Sequence, residues 1–77
     1  LQKANLYEAQ LQMTNLNSAN LQEGYLQSAK LQRAFLSWSQ LQGANLRNAQ
    51  LQGTDLSYAQ LQGAVLNGIY VEITATD

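Results

Sequence analysis

The sequence contains no cysteine, no histidine and no proline. Without Cys or His there is no disulfide framework, no zinc site built on those ligands, no thiol nucleophile and no imidazole acid or base. Charge is scarce as well. Four Lys and Arg stand against five Asp and Glu, a formal net charge of -1. That balance supplies neither a basic groove for nucleic acid nor a strongly acidic imitation of DNA. No apolar run approaches the roughly 18 residues of a membrane-spanning helix, and no signal peptide opens the chain. Leu1 already lies inside a repeat, so we read the chain as a processed or excised piece of something longer. Its 77 residues hold one domain, and a globular core of that size would be marginal.

What is present is a repeat. Leu stands at 1, 6, 11 and every fifth position to 66, and nowhere else; Val71 takes the next place. Two residues before each of these from Leu6 to Leu66 sits a small side chain: Ala at most places, Thr14, Gly24, Ser39 or Thr54 at the others. Ile69 is the first break. An α-helix turns about 100° per residue, so a five-residue period would step each Leu about 140° round the axis and leave no apolar stripe. A straight strand alternates its side chains with period two, so successive Leu would face opposite sides. A chain that turns a corner every five residues satisfies the pattern. In Ala4-Asn5-Leu6 the outer two side chains point inward and the middle one outward, and Tyr7-Glu8 carry the chain round the corner. If each corner is about 90°, four pentapeptides close a coil of about 20 residues. No repeat buries its own apolar face, but stacked coils bury a continuous one. The glycines at 43, 53, 63 and 68 fall at the second corner position, where a type II turn needs positive φ.

Ala4-Asn5-Leu6-Tyr7-Glu8, Ala44-Asn45-Leu46-Arg47-Asn48 and Thr54-Asp55-Leu56-Ser57-Tyr58 resemble the pentapeptide-repeat family, whose motif is Ala, Asp or Asn, Leu and two variable residues. The resemblance covers about residues 1–70. It implies an all-β fold: a right-handed, four-sided (quadrilateral) β-helix solenoid with about 20 residues per coil and just under four coils. At the usual strand spacing of about 4.8 Å the stack would stand roughly 18 Å tall. Residues 1–70 form the repeat, and 71–77 are expected to leave it as a terminal strand or tail, since Ile69, Val71 and Ile73 alternate with Tyr70, Glu72 and Thr74. The Asp/Asn slot departs from the motif at Gln10, Gln40, Gln50, Gln60, Lys30, Tyr25, Phe35 and Val65.

A ten-residue period overlays the five. Gln follows Leu at 2, 12, 22, 32, 42, 52 and 62 and precedes it at 11, 41, 51 and 61. Ten residues is half a coil, so two opposite walls are Gln-rich, and their amides are expected to bond along columns. The other two walls and their corners carry the aromatics other than Tyr70, which falls on a Gln-rich wall. Phe35, Trp38 and Tyr58 should gather on the outside beside the Ser18-Trp38-Tyr58 corner column, a candidate partner-binding surface. The acids are Glu8, Glu23, Asp55, Glu72 and Asp77, and no two share a column. No catalytic residue, metal ligand or cofactor-binding residue is indicated, and no cofactor.

The expected function is therefore a non-catalytic structural scaffold or protein-interaction module, not an enzyme. It would belong to a larger bacterial protein, favoured as cytoplasmic, with a protein partner and without direct nucleic acid binding or a membrane span. Uncapped ends leave end-to-end stacking of two copies as the expected self-association. The resemblance also implies an alternative, a DNA-mimicking regulator of a type II topoisomerase, which the nearly neutral surface disfavours. A third reading is a binder of a regular surface, such as ice or polysaccharide, through the Gln ladders.

Overall fold

The computed structural model describes residues 2–71. Residues 20 apart pair as isolated parallel bridges on each of four walls: Asn5 with Tyr25, Gln10 with Lys30, Asn15 with Phe35, Asn20 with Gln40, and so on up to Gln50 with Tyr70. The coil thus contains four pentapeptides, as corners of about 90° require. Each wall contributes one bridged residue per coil, because a corner follows before a longer strand can form. The expected terminal strand, apart from Val71, lies outside the described residues.

The backbone bonds explain the five-residue unit. On one wall Tyr25 N–H donates to the Ala4 carbonyl at 2.9 Å, Leu6 N–H to the Tyr25 carbonyl at 2.7 Å and Glu8 N–H to the Gln27 carbonyl at 2.9 Å. The corner closes on itself through Ala9 N–H and the Leu6 carbonyl at 3.0 Å. One N–H per repeat remains, that of the residue after Leu. Where the motif's Asp or Asn is present it supplies the acceptor: Asn5 Oδ1 takes the Tyr7 N–H at 3.2 Å, Asn15 the Asn17 N–H at 3.0 Å and Asn45 the Arg47 N–H at 3.1 Å. This is an Asx turn, and it gives that slot a structural task as well as a solvent-facing one. Phe35 cannot perform it. There Asn17, from the neighbouring coil, accepts the Ser37 N–H at 2.8 Å instead.

All described second corner positions have positive φ, not only the glycines. Gly43 and Gly53 lie at +71° and +70°, but Met13, Arg33, Trp38 and Tyr58 sit at 60° or 61° as well. With the corner hydrogen bond, this is the geometry of a type II turn. For a residue with a Cβ it costs about 1–2 kcal/mol, which the stacked hydrogen bonds must offset.

Inside the coil, Leu21, Leu26, Leu31, Leu36, Leu41, Leu46 and Leu51 are buried, with Ala29, Ala34, Ala44 and Ala49 beside them. Leu6, Leu11, Leu16, Leu56 and Leu61 pack against this core but are half-buried. The walls therefore stand on a dry leucine axis, and every residue before or after a Leu is displayed outward at a defined height.

Candidate functional site

The corner column Ser18, Trp38, Tyr58 follows from the 20-residue coil. Trp38 and Tyr58 occupy the same corner of successive coils, and their rings stack with centroids 4.6 Å apart and planes 14° from parallel. Both are exposed, at 63% and 72%. The expected gathering of these two rings is thus present. Phe35 lies on the adjoining wall, 47% exposed. It is not stacked on either ring; its bridge partners are Asn15 and, one coil on, Asp55.

Asp55 was not singled out as a site residue from the sequence. Its Oδ1 accepts both the Ser57 N–H at 3.0 Å and the Ser57 hydroxyl at 2.6 Å. These bonds, with a further one from Ser37, hold its carboxyl below its ordinary range. Phe35, Trp38, Asp55 and Tyr58 thus form a two-by-two array: Phe35 and Trp38 on one coil, Asp55 and Tyr58 on the next.

The Gln-rich walls bond in a pattern different from the expected columns. Gln22 Nε2 donates to Gln40 Oε1 at 3.0 Å, and the pairs Gln32–Gln50 and Gln42–Gln60 repeat it. Each links residues 18 apart, so the amides cross diagonally from the position after Leu to the position before Leu on the next coil. The same offset of 18 relates Tyr7 to Tyr25. With Asn5 and Gln27 these line an open groove of about 390 Å³ on the wall opposite Phe35, a feature sequence reasoning missed. The signal was present as an offset of 18, but only the stacking geometry shows that this spacing means contact.

Among the described residues no three of His, Cys, Asp and Glu gather where they could hold a metal ion. No helix there is long and apolar enough to cross a membrane.

The pentapeptide-repeats family model matches residues 1–23, 19–57 and 29–68, in eight copies. The crystal structure of the pentapeptide repeat protein Rfr23 from the cyanobacterium Cyanothece 51142 is 33% identical over 94% of this chain, with a TM-score of 0.70. The match covers 53% of Rfr23, so the chain spans about half of that relative's length. The pentapeptide repeat protein alr5209 from Nostoc PCC 7120 is 25% identical over 92% of this chain and 83% of its own, with a TM-score of 0.36. No curated protein matches the sequence. The matched repeats, together with the 20-residue coil and the inward leucines, make this chain a member of the pentapeptide-repeat family.

Proposed function

We propose that this chain is a non-catalytic scaffold, a right-handed quadrilateral β-helix of just under four coils, whose Phe35–Trp38–Tyr58 surface docks a protein partner. One observation carries the reading. Two large aromatic rings, both mostly exposed, occupy left-handed corner positions that glycine fills without strain at 43, 53, 63 and 68. Eight other non-glycine corners share this backbone, so what sets 38 and 58 apart is the pair of large, exposed, stacked rings. The stack itself contributes about 0.5–1.5 kcal/mol beyond burial, less than the roughly 2–4 kcal/mol that two such corners cost. Stability alone thus gives little reason to prefer Trp and Tyr to Gly there. Exposed aromatics are the side chains most often found at the energetic centre of protein interfaces.

The Gln walls support a different role. Their amides bond to one another across coils, so we assign them to stiffening the stack. The test of the docking reading is Trp38→Ala. We expect partner capture to be lost while the denaturation midpoint moves little. A large fall in stability with capture retained would sink the docking role and leave the rings as a structural column.

A further inference from the structure

We infer that the aromatic corner receives an arginine side chain from its protein partner, stacked against the exposed rings and paired with Asp55. This rests on the docking role proposed above and adds the partner's chemistry.

Three features converge. First, Asp55 is exposed and is the only charged residue among the outward positions of this wall and its corner: Asn15, Asn17, Ser18, Phe35, Ser37, Trp38, Asp55, Ser57 and Tyr58. Second, the groups that hold its carboxylate are serines, not cations. The closest basic residue in sequence to Phe35 is Arg33, on the preceding corner, where its side chain packs over Gly53. Among the described residues no cation pairs with it, and the causes of its lowered pKa are serine hydrogen bonds, with no charged neighbour. Ser57 places two donors on one carboxylate oxygen, and the Ser37 hydroxyl is the remaining donor that acts on the group, so an exposed carboxylate with about four lone-pair sites keeps acceptor capacity. Third, the bridge sets Asp55 directly over Phe35, and the stack sets Tyr58 over Trp38. An anion and three aromatic surfaces therefore border one patch about one coil high.

The chemistry of that patch selects its occupant. Aromatic faces are negative and attract a cation, and an exposed carboxylate with spare acceptor capacity takes a charge-assisted hydrogen bond. A guanidinium satisfies both, because it is flat, weakly hydrated and able to stack while its N–H groups reach the acid. An ammonium is compact and strongly hydrated, so it gains less from the stack. A neutral partner would leave Asp55 without a counter-charge.

The chain's single tryptophan lies in the patch, so its emission reports occupancy directly. The probes are two five-residue peptides, capped at both ends and glycine except at the centre. One carries arginine there and the other citrulline, its neutral urea analogue of the same length. Titrated into the millimolar range, the arginine peptide is expected to change Trp38 emission saturably. The citrulline peptide should bind about tenfold more weakly. Asp55→Asn should weaken the arginine peptide roughly fivefold and the citrulline peptide less, since a neutral urea forms no charge pair with the carboxylate. An asparagine caps this turn at 5, 15, 20 and 45, so the variant keeps its fold. Absence of a saturable change with the arginine peptide would overturn the inference. So would equal affinity for the two peptides. If that equal binding disappears in Tyr58→Ala, the arginine is excluded while the docking surface stands.

Discussion

The middle of the stack and its two ends are built from the same repeat, yet they differ in what that repeat achieves. Leu21 to Leu46 have at most 1% of their surface exposed, and Leu51 has 4%. Leu6, Leu11 and Leu16 near one end, and Leu56 and Leu61 near the other, occupy the same slot after the same kind of corner but remain half-buried. Leu66 is 38% exposed. The residue type, turn and local bonds are shared; only the number of neighbouring coils changes. Burial in this molecule is a property of stacking, and a single pentapeptide has none of its own.

The strongest way to break that comparison is a pair of truncations. Leu31→Ala, in the dry middle, is expected to cost about 2–5 kcal/mol through lost transfer energy and an unfilled cavity. Leu66→Ala, at a residue 38% exposed, should cost less, about 1–2 kcal/mol. Denaturant midpoints measure both, and equal losses would show that the ends are as well packed as the middle.

A second test sharpens the description of the middle. The inward small slot holds Ser39, with none of its surface exposed and its hydroxyl without a partner among the described residues. Thr54 occupies the same kind of slot but donates its hydroxyl to the Leu31 carbonyl at 2.6 Å. A buried unpaired hydroxyl costs about 1–3 kcal/mol, so Ser39→Ala should raise stability by about 1 kcal/mol or more. Calorimetry that finds a loss would mean Ser39 has an acceptor after all.

The smallest expected effect lies on the surface, at Asp55. Hydrogen bonds from Ser57 and Ser37 lower its folded-state pKa. A lowered pKa means the carboxylate is bound more favourably in the folded chain. Its contribution is therefore present above the unfolded pKa and is lost as pH falls through the folded one. Carbonyl NMR titration should place the Asp55 midpoint below the ordinary carboxylate range, and Ser57→Ala should move it upward. An unchanged midpoint in that variant would remove Ser57 as the cause.

Much of the fold was readable in advance because one number decided it. A Leu every five residues is incompatible with the helix and the straight strand, and Gly43 or Gly53 marked where the chain turns left-handed. The left-handed corners at Met13, Arg33, Trp38 and Tyr58 were not readable. These residue types disfavour that geometry alone, and the stacked backbone imposes it. Of the candidate site, the Trp38–Tyr58 neighbourhood followed from a spacing of 20. The place of Asp55 above Phe35 follows from the same spacing, but its value depends on Ser57 donating twice to one oxygen. That is a matter of rotamers and not of order along the chain.

By itself, then, the sequence determined which side chains face the axis and which face water, because a period of five leaves a turning chain as the only way to gather the leucines. Tertiary structure alone decided which leucines are dry, which amides meet at an offset of 18, and which residue caps an N–H when the motif's asparagine is missing, as Asn17 does for Ser37. Each of these depends on the neighbouring coil, whose height and lateral shift are set by hydrogen bonds between backbones that no pentapeptide contains.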